Sequence, residues 1–259
     1  MKHQISGKKI FQKIAKLVGN AIEKYNLIEE GDKILVGLSG GKDSWALMHV
    51  LHYLQYKAPI NFTFKGITFD PGFPDFGSDI ISKYCQEHDW EHEIIKMNIP
   101  DIIDEKDFGH APCVLCSRLR RGKLYGFAEE HKYNKLALGQ HLDDVIISFF
   151  MSACRGQGIK TMAPLVKSEK LGIPSVIRPL ALVPEDLLEK YADFMEFPIS
   201  GHCQYEEVLE SGDRIYFKNI LNELSSKIPD IRTNIANSLG HVELKHLLVP
   251  IDELSWKGE

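Results

Sequence analysis

Lys33-Ile34-Leu35-Val36-Gly37-Leu38, followed without a break by Ser39-Gly40-Gly41-Lys42-Asp43-Ser44, is the stretch on which the fold turns. The first six residues form a short apolar run of the kind that makes a buried strand. From Ser44 to Gln55 the apolar spacing becomes helical. A loop between a buried strand and a helix start presents unpaired backbone N–H groups, and the helix dipole favours negative charge there. Gly40 and Gly41 let the backbone approach phosphate oxygens. Ser39 and Ser44 add hydroxyl donors, and Lys42 adds a mobile positive charge. Asp43 would repel phosphate unless a cation lay between them, so it points to Mg2+. A plain glycine turn accounts for Gly40-Gly41 alone but not for the whole string. Two better-known phosphate motifs fail. A Walker A loop needs glycine where Val36 stands and Ser or Thr where Asp43 stands, and no Gly-x-Gly-x-x-Gly is present.

Outward from this loop, strands and helices alternate. Ile10 to Leu27 reads as an amphipathic helix ahead of the first strand. Phe62–Phe69, Glu91–Met97, Lys135–Leu138 and Ser175–Ile177 read as further strands. Helices are expected near Ser78–His88, Asp143–Met151 and Glu185–Met195, the last begun by Pro184. The segment Asp101–Pro112 is expected to be an irregular loop leaving the sheet. After Cys203 the pattern is helical over Asp213–Ser226 and Asp230–Leu239, with an irregular tail containing Trp256. This alternation implies an α/β fold, with a parallel sheet covered on both faces.

The 259 residues suffice for one sizeable core with small appendages. A net charge of −5 argues against a surface coated in positive charge that grips nucleic acid without specificity, though not against a local basic patch. No apolar run is long enough to span a bilayer. Met1-Lys2-His3-Gln4 does not lead into a signal-peptide core, so no membrane partner and a cytoplasmic location are expected. Five cysteines, an odd number in a chain of that kind, favour metal or thiol chemistry over a disulfide framework.

Three further segments carry chemistry. Leu138-Gly139-Gln140-His141-Leu142-Asp143-Asp144 follows a strand and opens a helix. Its paired aspartates could simply cap that helix; at the end of a parallel strand they would face a ligand crevice. Cys113 and Cys116 form a C-x-x-C pair, which suits one metal centre or a redox pair. A zinc site would need two more ligands, with His110 and His202 as candidates. Cys85 and Cys154 match no motif and read as buried structural thiols. Arg118, Arg120, Arg121 and Lys123 lie beside Cys116 and form either a solvated helical face or a grip on phosphates of ATP or RNA, which Arg155, Lys160 and Lys167 could extend.

The Ser39–Ser44 string resembles the PP-loop of the N-type ATP pyrophosphatases, which include GMP synthetase, asparagine synthetase and the tRNA thiolases. The resemblance implies a five-stranded, doubly wound, Rossmann-like (HUP) parallel sheet. It also implies cleavage of ATP between the α and β phosphates, with adenylation of the substrate. It places adenine and ribose at the end of the second strand, Gly66-Ile67-Thr68-Phe69-Asp70, and so makes Thr68 and Asp70 nucleotide-binding candidates together with Gly139. The second loop resembles the Gly-His-His-x-Asp-Asp motif of the PP-loop tRNA thiolases, with Gln140 replacing the first histidine; Asp143 or Asp144 would hold magnesium or orient the attacking sulfur.

Pro112-Cys113-Val114-Leu115-Cys116-Ser117-Arg118-Leu119-Arg120-Arg121-Gly122, Pro71-Gly72-Phe73-Pro74, Ile177-Arg178-Pro179-Leu180 and Ala58-Pro59-Ile60-Asn61-Phe62 are similar to the tRNA 2-thiocytidine synthetase (TtcA) family. The similarity runs from about residue 10 to about residue 203. It implies that Cys113, Cys116 and Cys203 hold a [4Fe-4S] cluster, leaving one iron open to sulfide. The family's Cys-Gly-Ser-Gln string is replaced here by Cys203-Gln204-Tyr205-Glu206.

The expectation is therefore an N-terminal helical segment (1–30), a PP-loop domain (31–200) with a cysteine-bearing insertion near 101–122, and a C-terminal helical extension (201–259). Its implied activity is ATP- and iron–sulfur-dependent tRNA thiolation at a pyrimidine carbonyl, cytidine C2 first. Lys42, Asp43, Asp143 and Asp144 are the catalytic candidates. ATP, Mg2+ and the cluster are the expected cofactors. A cysteine desulfurase or other sulfide donor is the expected protein partner, and a homodimer is allowed. Rival readings are another PP-loop sulfur transferase, or a non-catalytic iron–sulfur or zinc nucleotide sensor.

Overall fold

The computed structural model describes residues 2–106, 112–168, 170, 172–198, 200 and 212–248, with the side chains of 2–6, 103–106 and 112–114 outside that description. In chain order the elements are α1 (Lys2–Tyr25), β1 (Lys33–Gly37), α2 (Lys42–Lys57), β2 (Thr63–Asp70), α3 (Ser78–Glu87), β3 (His92–Lys96), α4 (Ile99–Lys106) and α5 (Pro112–Glu130). There follow β4 (Lys135–Ala137), α6 (Leu142–Cys154), β5 (Leu165–Val166), β6 (Ser175–Ile177), α7 (Glu185–Met195), α8 (Asp213–Lys227), α9 (Ile231–Leu239) and a 3-10 turn at Leu244–His246.

The strands form one sheet in the order β3-β2-β1-β4-β6-β5. β1 lies between β2 and β4 and is parallel to both, with Lys33 beside Thr63 and Ile34 beside Lys135. The β2–β3 and β4–β6 pairs are parallel too, so the five expected strands run in one direction. A sixth strand, β5, adds antiparallel at the edge, with Leu165 opposite Ile177. Two residues of pairing carry no periodicity, so nothing in the sequence marks it.

β1 alternates between two apolar layers, as a strand covered on both faces must. Ile34 and Val36 join Trp45, Met48 and Leu51 of α2, Ile14 and Val18 of α1 and Leu188 and Tyr191 of α7. Leu35 faces the other way, with Leu124, Phe127 and Ala128 of α5 and Ile67 and Phe69 of β2. Among the described residues Trp45 is the largest fully buried side chain, and its truncation to alanine would cost about 3–5 kcal/mol. A third cluster clamps α8 onto α6 through Phe217, Leu221, Leu142 and Ile146, with Ile231 and Ile235 of α9 packed against it.

The expectation of an irregular segment fails. The segment from Asp101 is not all irregular, because α4 occupies Ile99–Lys106. Pro100 suits a first helical turn, Ile99 is fully buried against Phe73 and Cys116, and the Asn98 amide donates to Asp101. Eight residues are too few to show a helical period. Residues 107–111, and the Trp256 tail, lie outside the described residues.

The chain reaches β2 and then β3 on one side of β1, and β4 and then β6 on the other. The strand order therefore reverses between β1 and β4. In open α/β sheets a ligand crevice lies beyond the carboxyl ends of the strands at that point. The loops after β1 and β4 are Ser39–Gly41 and Leu138–His141.

Candidate active site

The loop after β1 is wound on its own hydroxyls. Ser39 N and Gly41 N donate to Ser44 Oγ and Ser39 Oγ, each at 3.3 Å, and Ser44 Oγ donates to Gly41 O at 2.8 Å. Gly40 has φ +80°, and a Cβ there would stand 1.6 Å from Ser200 Oγ, so only glycine fits. The second loop presses against the first: a Cβ at Gly139 would lie 3.2 Å from Asp43 C and Ser44 N.

Acidic and basic side chains converge where the loops meet. His141 Nε2 lies 3.6 Å from Asp144 Oδ2, 3.9 Å from Asp43 Oδ2 and 4.0 Å from Glu185 Oε1. Lys42 Nζ lies 3.1 Å from Glu185 Oε1 and 3.6 Å from Asp43 Oδ1. Burial works against the Lys42 charge, but Asp43 and then Glu185 outweigh it and hold the ammonium above its ordinary value. Burial pushes the Asp43 carboxyl up, with Asp144 and Glu185 adding to it against His141 and Lys42. Asp43 Oδ1 is buried and has no hydrogen-bond partner. Glu185 is held down at about 2: burial opposes its ionisation, but the Lys218 and Lys42 ammonium groups overcome it.

Beyond these loops is a 640 Å³ cavity, closed on one side by α5. Ser39, Gly41, Asp43, Ser44, Gly139 and Asp144 line it, and so do Gln140, Arg120, Arg121, Arg178 and Arg214. Gln140 Oε1 accepts from Arg178 Nε at 3.0 Å, and Arg178 Nη1 donates to Ala163 O at 2.6 Å, which fixes that guanidinium. Asp144 caps α6 by accepting from His141 N at 3.1 Å and pairs with Arg214.

Several expected site residues do not line this cavity. Thr68 and Asp70 do not line the cavity; Ile67 and Phe69 of the same strand do. Side chains alternate along a strand, and Thr68 and Asp70 fall on the other parity. Thr68 is fully buried and donates to Leu38 O at 2.9 Å, while Asp70 accepts from Gly72 N at 2.9 Å and Ser78 Oγ at 2.8 Å. Asp143 is also outside the cavity lining: it accepts from Glu185 N at 2.9 Å and from Arg232. Lys42 is turned toward Glu185 and, like Gly40, is not among the lining residues. Of the basic cluster, Arg120 and Arg121 reach the cavity; Arg118 and Lys123 are exposed.

Cys116 is buried in the first turns of α5 among Phe73, Ile99 and Leu119, one turn before Arg120. Cys113 begins the same helix, but its side chain is outside the described residues, as are His110, His202 and Cys203 altogether. Among the described residues no three His, Cys, Asp or Glu side chains are grouped as a complete metal site. Cys85 is buried, and burial pushes its thiol to about 12. Cys154 is exposed, contrary to expectation, because it ends α6 beyond the face that packs. Among the described residues no helix is long and apolar enough to cross a membrane.

His141 and Glu185 carry no role in the sequence reading. His141 sits inside the second loop's motif and could have been found there. Glu185 belongs to no motif; it reaches Lys42 only because the α7 N-terminus packs beside the loops.

Comparison with known proteins agrees with this arrangement. The family of PP-loop domains matches residues 7–199. A tRNA-cytidine(32) 2-sulfurtransferase from Syntrophotalea carbinolica is 37% identical over 241 residues, covering 93% of each chain. One of the same name from Francisella tularensis subsp. mediasiatica is 38% identical over 245 residues, covering 93% of this chain and 90% of its own. The solved U34-tRNA thiolase NcsA from Methanococcus maripaludis, with its [4Fe-4S] cluster, superposes with a TM-score of 0.72 at 26% identity, over 97% of this chain and 86% of its own. The chain belongs to the PP-loop family and, within it, to the family of the tRNA-cytidine(32) 2-sulfurtransferases.

Proposed function

We propose that this protein is an ATP- and iron–sulfur-dependent tRNA sulfurtransferase that replaces the C2 oxygen of a cytidine with sulfur. Cytidine 32 is the target named for its relatives. The observation that carries the reading is one cavity bounded by the Ser39–Ser44 loop, by Asp144 and by the arginines one turn after Cys116. An activating site and a thiol-bearing helix thus share a single space.

The amide groups and hydroxyls of Ser39, Gly41 and Ser44 receive the ATP phosphates at the α2 N-terminus. Lys42 swings from Glu185 to offset charge on the departing pyrophosphate. The orphaned Asp43 Oδ1, with Asp144 beside the same imidazole, fits Mg2+, an ion bound through one or two carboxylates plus substrate phosphates. Asp143 positions the α7 N-terminus and so Glu185. Arg120, Arg121 and Arg178 face the RNA, whose base must be unstacked to enter. Cys113, Cys116 and Cys203 are the proposed cluster ligands; Cys116, buried beside Phe73 and Ile99, directly precedes the cavity-lining Ser117, which fits that assignment. When bound, the cluster supplies an iron without a protein ligand, which can carry sulfide. The sulfur comes from a cysteine desulfurase or other sulfide donor in the cytoplasm.

Because the solved relative acts on U34, a uridine target is the second reading. Mass spectrometry of tRNA nucleosides from a deletion strain separates them. Loss of 2-thiocytidine alone supports the proposal, loss of a thiouridine selects the second reading, and unchanged thionucleosides refute both.

A further inference from the structure

A second cavity, of 490 Å³, opens between α6, the loop 155–162 and the start of α8. Met162 and Arg214 line both cavities, so the two share a wall. The lining of the second is cationic in a chain whose net charge is −5. Arg155, Lys160 and Arg214 are opposed by one carboxylate, Asp213, and Arg155 already holds both oxygens of that group at 2.5 and 2.6 Å. Arg214 is paired with Asp144. Lys160 has no ion pair among the described residues. Ser152 is 5% exposed, lines the cavity, and its Oγ has no hydrogen-bond partner. A buried hydroxyl left unpaired costs about 1–3 kcal/mol, so it points to a ligand that supplies the partner. Gln157 adds a neutral amide.

We propose that this cavity binds the phosphodiester and ribose of the nucleotide next to the modified cytidine. The inference rests on the tRNA reading above. If the target base enters the main cavity, the shared Met162–Arg214 wall puts the second cavity within reach of an adjacent nucleotide. Cations and hydroxyl or amide groups there match a phosphate and a sugar, and they hold backbone without reading sequence. Lys160, which has no ion pair among the described residues, takes the phosphate, and Ser152 Oγ pairs with the ribose.

The test is equilibrium binding of unmodified tRNA to the whole, anaerobically prepared protein over a salt series, alongside ATP binding. Lys160→Ala should weaken tRNA binding about tenfold and reduce the slope of log K against log salt by about 1. Lys160→Arg should restore both, and ATP affinity should not move. Ser152→Ala should weaken tRNA binding without changing the slope. Equal tRNA affinity and slope in Lys160→Ala would overturn the inference alone. ATP binding weakened in parallel would assign the cavity to free nucleotide instead. If the unsubstituted protein binds no tRNA, the tRNA reading fails and the inference with it.

Discussion

Lys42 Nζ and Glu185 Oε1 are 3.1 Å apart, although 143 residues separate them in the chain. Glu185 also accepts from Lys218 at 2.9 Å, so one carboxylate ties the phosphate loop to the α8 helix. Its carboxyl is held at about 2 against an ordinary 4.5. A depressed value in the folded state gives stability that is present above 4.5 and lost as pH falls toward about 2. With solvent screening that stability is on the order of 2 kcal/mol. Urea midpoints between pH 5 and pH 3 should therefore fall more steeply for the natural protein than for Glu185→Gln. Parallel slopes would contradict the assignment.

Asp143 and Asp144 are neighbours with different partners. Asp143→Ala strips acceptors from Glu185 N and Arg232 in a buried place and should cost about 3 kcal/mol in denaturant unfolding. Asp144→Asn should cost about 1 kcal/mol or less as a helix cap. In a magnesium titration of AMP formation, however, Asp144→Asn and Asp43→Asn should need more Mg2+ than the natural protein. An unchanged magnesium requirement in both variants would remove the metal role.

The contact of Gly139 with the phosphate loop gives a prediction about binding. An added methyl must displace Asp43 C or Ser44 N, both 3.2 Å away and both backbone. Overpacking of that kind costs about 1–3 kcal/mol. If the loop gives way, ATP binding in Gly139→Ala should weaken by about tenfold or more, with little change in global unfolding. Calorimetric titration measures it, and an unaltered ATP affinity would show that the loop tolerates the shift.

The sheet was readable because β1 to β4 and β6 are apolar runs that alternate with helix periods, and the phosphate loop because its chemistry is contiguous. Glu185 and Arg178 were hidden as site residues for the opposite reason: their roles arise only when α7 and the segment after β6 pack beside the loops. Thr68 and Asp70 fall on the strand parity that faces away from the cavity, a parity that a motif at a strand end does not specify. Among the aspartates, neither spacing nor composition distinguishes Asp144, in the cavity, from Asp143, bound to Arg232. The C-x-x-C pair was plain, and the structure adds that its helix lines the same cavity as the Ser39–Ser44 loop.

Lys42 gives the most direct test of the central claim. Purified anaerobically and supplied with unmodified tRNA, ATP, Mg2+ and sulfide, the protein should form AMP and 2-thiocytidine in equal amounts. Lys42→Ala should slow both together by about 100- to 1,000-fold, the loss typical of one charge-stabilising donor. Thiocytidine formed without ATP, or AMP released with no sulfur entering the tRNA, would contradict the account.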